Sequence, residues 1–261
     1  MDNLPEACIA HILSFTSPPE VCRLSCVSSS FLSAAVSDAL WNSFIPSDCL
    51  SLLSPPPSFP SKKHLFLSLS HQSHVIMNDG LKSFWLDKFS GAECFMLSSK
   101  NLSIVWGSTP EYWWWPSVPE SRFQEVAELL DVCWLEIRGR INTRMLSPST
   151  LYTAYLVFKL TANAKGFKNK PVEVSVGIAG NDNDAQRQIV FLDPQEAQGE
   201  KLNGQYPNER ADGWLEIELG DFFNEGIDDR ELEMAVCEIN AGHWKRNLVI
   251  EGLEIRPKLN N

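Results

Sequence analysis

Apolar residues recur along this chain in two different rhythms. Between residues 4 and 45 the spacing is helical. Ile9, Ile12 and Leu13 form one stripe with Phe15 near its end, and Pro5 suits a first helical turn. Ser17-Pro18-Pro19-Glu20 has the form of a capping box, in which the Ser accepts from the N–H three residues on and the Glu reaches back. Val21, Leu24 and Val27 then form a second stripe, and a third helix carries Phe31, Ala34 and Ala35. Leu40, Trp41 and Phe44 close the segment. Some 40 residues bury little surface alone, so part of this apolar face is expected to lie against a partner or the following domain.

Residues 46–63 are rich in Pro and Ser, with Pro55, Pro56, Pro57 and Pro60. Proline disfavours helix and cannot donate to a sheet ladder, so the stretch reads as a semi-rigid spacer. Leu65, Phe66, Leu67 and Leu69 predict a short helix after it. From about residue 94 the period becomes two. Leu102, Ile104 and Trp106 alternate. Cys133, Leu135, Ile137 and Ile141 share one face, opposite Glu136, Arg138 and Arg140. Tyr152 to Leu160 and Val172 to Ile178 repeat the pattern, and Leu215, Ile217 and Leu219 face away from Glu216 and Glu218. Leu248 and Ile250 alternate until Gly252, where the phase slips to Leu253 and Ile255, as a β-bulge requires. Many short alternating strands predict an antiparallel sandwich or jelly roll.

Composition narrows the function. At about 150 residues per domain, the 261 residues imply two domains. The net charge of −11, with no basic run, argues against nucleic acid or an anionic membrane as partner. No stretch reaches about 18 apolar residues, and Met1-Asp2-Asn3-Leu4-Pro5-Glu6 is not a signal peptide, so a cytoplasmic or nuclear location is expected. The seven cysteines form no C-x-x-C pair and read as buried thiols in a reducing compartment. Cys22 and Cys26 lie four apart but have no nearby His for zinc.

Catalytic signatures are largely missing: there is no phosphate loop, nucleophile elbow or zinc-protease helix. No cofactor or metal is implied. Asn181-Asp182-Asn183-Asp184 lacks the turn glycine and distal Glu of a calcium loop. His243 reads as a surface or turn residue. Residues 209–233 hold ten carboxylates against two bases; a pair such as Asp228 and Asp229 could serve a glycosidase, but its polar surroundings suit a solvated loop.

The aromatic cluster is the stronger signal. Four of the nine Trp fall between Trp106 and Trp115. In an extended run Trp113-Trp114-Trp115 cannot all be core, because alternate side chains point to opposite faces. The rings either seal the sandwich against the spacer or offer a platform for the C–H face of a sugar. Trp134, in an apolar strand, reads as core.

Two resemblances follow. Residues 4–45 resemble an F-box: Leu4-Pro5-Glu6, Ile12-Leu13-Ser14, Arg23-Leu24, Val27-Ser28-Ser29-Ser30-Phe31 and Leu40-Trp41 match in order, with Val21 a conservative departure. This implies docking on Skp1 of SCF (cullin-based) ubiquitin ligases through Leu4, Pro5, Ile9, Ile12, Leu13, Val21, Leu24, Val27, Phe31 and Trp41. Residues from about 84 to 258 resemble the plant phloem protein 2 domain, related to a jasmonate-inducible tobacco lectin. The matching pieces include Phe84-Trp85-Leu86-Asp87-Lys88, Leu102-Ser103-Ile104-Val105-Trp106, Pro110-Glu111-Tyr112-Trp113, Asp212-Gly213-Trp214-Leu215-Glu216 and Gly252-Leu253-Glu254-Ile255-Arg256-Pro257. The resemblance implies a β-sandwich that binds N-acetylglucosamine oligomers or N-glycan cores through Trp106, Trp113 and Glu231. Trp114 departs from the family pattern, and no basic nuclear-import run lies between Ile189 and Gln205.

The expected architecture is a small three-helix F-box (1–48), a linker and connecting segment (49–83), and a jelly-roll-like β-sandwich lectin domain (84–261). The expected function is a non-catalytic receptor that brings a glycoprotein or oligosaccharide target to the ligase. The alternatives are a receptor for protein targets without sugar and, more remotely, a glycosidase.

Overall fold

The structure, a computed structural model, describes residues 4–46, 59–71, 75–77, 79–181, 185–194, 204–227 and 229–258. Most of the expected Pro/Ser spacer, Asp182 to Asp184 and Asp228 lie outside the described residues. The chain divides into two compact units, Met1–Asn78 with Phe84–Cys94, and Asp79–Ser83 with Phe95–Asn261.

The first unit holds α1 (Glu6–Leu13), α2 (Pro18–Leu24), α3 (Ser29–Ala35), α4 (Asp38–Ser43) and α5 (Lys62–His71). Ser17 caps α2, its side chain accepting from the Glu20 N–H at 3.4 Å. Glu20 does not complete the capping box; its carboxylate pairs with Arg23 one turn on. Ser28 caps α3 in the same way, accepting from the Phe31 N–H at 3.3 Å. Leu40 and Trp41, expected to close a three-helix module, sit on a fourth helix. Trp41 is fully buried, and its indole N–H donates to the Ala35 carbonyl at 2.7 Å. Phe66 of α5 packs on it with ring centroids 5.3 Å apart. Ile9, Leu13, Val21 and Ala34 complete this core.

The strands in order are β1 (Val75–Ile76), β2 (Lys82–Leu86), β3 (Glu93–Ser98), β4 (Ser103–Ile104), β5 (Trp113–Trp114), β6 (Ala127–Leu129) and β7 (Leu135–Asn142). There follow β8 (Thr150–Lys165), β9 (Pro171–Ile178), β10 (Gln186–Phe191), β11 (Asn208–Glu209), β12 (Leu215–Asn224), β13 (Glu231–Glu238) and β14 (Arg246–Pro257). In the second unit one antiparallel sheet runs β3-β14-β8-β12-β11, with β6 also on β14 and β5 on β6. The other runs β10-β9-β13-β7-β4.

The two sheets form a β-sandwich. Ile137 and Ile141 of β7, Leu232 and Val236 of β13, and Val174 of β9 are buried on one side of the core; Leu156, Phe158, Ile217, Leu219 and Leu253 are buried on the other. The layers meet closely at Gly139: a Cβ there would stand 2.7 Å from Leu253 Cδ1. The phase slip at Gly252 is a bulge, where the β14–β8 register shifts between Ile250 and Gly252. A Cβ on Gly252 would collide with the Leu97 carbonyl, so only glycine fits.

Four expectations need correction. Trp106 does not continue the alternation of β4: its φ of 57° turns the chain out of the strand. Leu215 and Leu160 are only half buried. Cys8, Cys22 and Cys26 are exposed rather than core thiols, because Cys8 and Cys22 occupy the outer sides of short helices and Cys26 lies in the turn after α2. Trp134 is 41% exposed rather than core. It precedes β7 in the polar phase of Glu136 and Arg138, so the pleat carries it outward.

Candidate functional site

The helical unit divides its expected docking residues into two sets. Ile9, Leu13, Val21 and Trp41 are core, and Leu24 and Phe31 are half buried. Leu4, Pro5, Ile12 and Val27 are exposed, joined by Phe15, Leu32 and Val36, which are not among the expected docking residues. The reason is geometric: a stripe wide enough to line a core also wraps past its edge. On α1, Ile9 and Leu13 point inward while Ile12 faces solvent. The exposed set is a larger apolar surface than so small a unit needs.

In the second unit, Trp106 is 43% exposed and lies against Tyr112, with ring centroids 5.3 Å apart. Its left-handed backbone is held by a tight turn: Gly107 N–H donates to the Ile104 carbonyl at 2.9 Å and Thr109 N–H to the Trp106 carbonyl at 2.8 Å. Trp113 is only 3% exposed, and its indole N–H donates to the Val105 carbonyl at 3.1 Å. Trp115 donates to the Gly107 carbonyl at 3.0 Å and carries Lys100 Nζ 4.0 Å above its ring. Trp114, between them, is 56% exposed. Of the expected sugar residues, then, Trp106 offers a ring face and Trp113 supports the loop from behind.

Glu231 lies elsewhere. Val105 N–H donates to the Glu136 carbonyl at one end of β7, at 3.0 Å, whereas Glu231 pairs with Asn142 at the other end. Six residues of strand at roughly 3.4 Å each put them about 20 Å apart along the sheet. Glu231 is exposed there and accepts from Asn142 Nδ2 at 3.3 Å. Asp229, in the same loop, is also exposed, accepting from Asn142 Nδ2 at 2.6 Å and pairing with Arg144 at 3.0 Å.

The acidic residue whose backbone pairs next to Trp106 is Glu136, whose carbonyl accepts from the Val105 N–H. It accepts from Arg138 Nε at 2.8 Å and from the Trp134 indole N–H at 2.9 Å. The hydrogen bond from Arg138 chiefly, and that from Trp134 next, hold its pKa below the ordinary carboxylate value. Glu233 is also lowered; burial pushes it up, but the hydrogen bonds from Arg140 and Arg138 outweigh that. Trp134 was legible from its phase in the sequence. Glu136 needed the β4–β7 pairing, a contact between segments some 30 residues apart.

A second charged cluster lies on the outer side of the larger sheet. Glu254 is 1% exposed and meets Arg210 at 3.2 Å, Arg122 at 3.6 Å, and Arg256. Burial pushes its pKa up, and Arg210, Arg256 and Arg122 together bring it below the ordinary value. Arg256 also lies 3.8 Å over the Tyr155 ring. This network is closed on itself and reads as structural. Among the described residues no group of three or more metal-ligating side chains occurs, and no helix is long and apolar enough to cross a membrane.

The Phloem protein 2 family matches residues 92–257, and the F-box-like family matches residues 1–46. In Arabidopsis thaliana, F-box protein At2g02240 is 50% identical over 258 residues, covering 98% of this chain and 80% of that protein. F-box protein PP2-B10 of the same plant is 47% identical over 258 residues, covering 98% of this chain and 93% of that protein.

Proposed function

Since this chain belongs to the plant F-box proteins that carry a phloem protein 2 domain, we propose that it is a substrate-receptor subunit of an SCF ubiquitin ligase. It docks on Skp1 through the helical unit and recognises a glycan-bearing target through the β-sandwich. The observation that carries the first half is the exposed set Leu4, Ile12, Phe15, Val27, Leu32 and Val36, outside a core that is already complete. Apolar side chains left in water on a unit of this size are stabilised by a partner that covers them. The receptor performs no reaction; its contribution is to bring target and ligase together in the cytoplasm or nucleus.

The second half rests on Trp106. An exposed indole on a rigid turn presents a flat apolar face to the C–H side of a pyranose, and Glu136, whose backbone carbonyl bonds the Val105 N–H, offers a carboxylate to hydroxyl hydrogens. An N-acetylglucosamine-containing oligosaccharide is the proposed class. The burial of Trp113 and the remoteness of Glu231 favour a second reading, in which the sandwich binds a protein target without sugar.

Co-purification of the full chain with Skp1 and a cullin tests the first half, and a glycan-binding titration of the same chain separates the two readings of the second. Absence of Skp1 from the purified complex would overturn the receptor assignment. Binding of a target protein that persists after enzymatic removal of its glycans would favour the second reading.

A further inference from the structure

We infer that the overhanging end of β8 is a docking edge for an extended, acidic segment of a protein target, which joins the larger sheet as a strand in line with β12. This rests on the receptor assignment and deepens it, on a strand that carries none of the expected sugar residues.

The edge arises from unequal strand lengths. β8 runs Thr150–Lys165, but its pairing with β12 stops at Phe158, opposite Leu215. Before Leu215 the chain folds into a turn, where Gly213 N–H donates to the Arg210 carbonyl at 3.0 Å and Arg210 N–H to the Trp214 carbonyl at 2.8 Å. Among the described residues no strand pairs with residues 159–165 on that side. Exposure follows: Thr161, Ala162 and Asn163 are exposed in succession rather than alternately. Leu160 and Leu215 are half buried for the same reason, since the strand that would cover them ends there. Backbone groups on such an overhang have no ladder partner and template an added strand.

The other side of the overhang is fixed. β14 sets Leu248 opposite Leu160 and Arg246 opposite Lys165, and Asn247 Nδ2 donates to the Asn163 carbonyl at 3.0 Å across the bulge between them. Phe167 anchors the turn after β8 at 2% exposure. His243, expected to be a surface residue, is half buried and donates from Nε2 to the Gly166 carbonyl at 2.9 Å. Gly166, at φ +85°, has no room for a Cβ because the Trp244 carbonyl fills that space. An edge held before binding loses little entropy when a segment joins it.

A groove of about 340 Å³ runs beside this edge. Leu160, Phe167 and Leu215 give it apolar surface, Lys165 and Lys168 give it positive charge, and Asp193 is the carboxylate that lines it. Lys165 and Lys168 are exposed and make no ion pair among the described residues, whereas Arg138, Arg140, Arg210 and Arg256 of the same unit each meet a carboxylate. Unneutralised ammoniums in a chain of net charge −11 select an acidic occupant. A second copy is disfavoured, because antiparallel pairing of two such edges would set Lys159 of one against Lys165 of the other. Two lysines are also too few to hold a polynucleotide against that net charge.

The test is fluorescence anisotropy of the full chain with a labelled heptapeptide alternating Val and Glu. The wild type is expected to bind it, and to bind the Val/Lys counterpart at least roughly tenfold more weakly. Methylation of the peptide's backbone nitrogens should remove binding, because a methylated nitrogen cannot donate to the edge. Lys165→Glu combined with Lys168→Glu should reverse the preference between the two peptides while melting and Skp1 co-purification stay unchanged, which separates a charged rim from a structural role. If the wild type fails to bind the Val/Glu peptide while Skp1 still co-purifies, the docking edge is wrong and the receptor assignment stands. Loss of Skp1 with peptide binding intact would overturn the receptor assignment and leave the edge. Equal binding of the methylated peptide would show charge attraction without strand addition and would also overturn the inference. So would a wild-type dimer in sedimentation that the double Glu variant dissociates, because the edge would then belong to a second copy.

Discussion

The indole N–H of Trp113 donates to the backbone carbonyl of Val105 at 3.1 Å, and this bond ties the aromatic run to the turn that displays Trp106. The two tryptophans therefore have unlike roles. One is a packed support and the other a free face.

Their substitutions should separate accordingly. Trp113→Ala removes a buried ring and should cost about 3–5 kcal/mol of stability, measured by denaturant unfolding. Trp106→Ala removes a half-exposed ring and should change stability by no more than about 1 kcal/mol while eliminating oligosaccharide binding. Equal melting of the two variants would show that Trp113 is not a structural support.

On the helical unit, Ile12→Glu with Val27→Glu should break Skp1 co-purification and leave unfolding unchanged, because both side chains are exposed. Val21→Ala, at a fully buried position, should do the reverse in first effect, lowering stability by about 1–3 kcal/mol. Retention of Skp1 by the double Glu variant would move the docking surface to another face.

The Glu254 cluster predicts an acid limit. The folded-state pKa of Glu254 is lowered, so its stabilising contribution is complete above the ordinary carboxylate range and is lost as pH falls through the folded value. Wild-type stability should therefore fall steeply below about pH 4.5. Glu254→Gln should flatten that fall and cost about 3–5 kcal/mol at neutral pH, since it leaves Arg122, Arg210 and Arg256 around an uncharged amide. Thermal unfolding followed against pH checks both.

Glu136 makes a parallel statement about binding. Arg138 and Trp134 keep it ionised below the usual range, so sugar affinity should be flat from about pH 5 to 8 and decline only in stronger acid. An affinity that halves between pH 7 and 5.5 would point to a titrating group other than Glu136.

Gly252→Ala should destabilise the sandwich by about 1–3 kcal/mol or more, because the new methyl group meets the Leu97 carbonyl of the adjacent strand rather than a flexible side chain. Gly213→Ala is the comparison: it has open space around it and pays only for its φ of +78°, about 1 kcal/mol. Unfolding curves of the two rank the close approach against the backbone strain.

Sequence by itself determined whatever depends on neighbours along the chain. Helical spacing and the Ser17 cap set the first unit, period-two alternation set the strands, and the phase slip at Gly252 marked the bulge. The parity of Trp134 with Glu136 already placed that ring on the polar face, had the apolar strand around it not suggested core. Alternation also required that adjacent rings in Trp113-Trp114 face opposite ways, but not which one turned inward. Tertiary structure decided that, through the pairing of β5 with β6 and the bond from Trp113 to Val105. It also decided that the Glu136 backbone rather than Glu231 lies beside the turn that carries Trp106, and that the segment of Lys245 pairs with Val132. Those outcomes depend on which distant strands exchange hydrogen bonds and in what register. A strand's own sequence states its two faces, whereas the partner and the offset come from packing the whole sandwich.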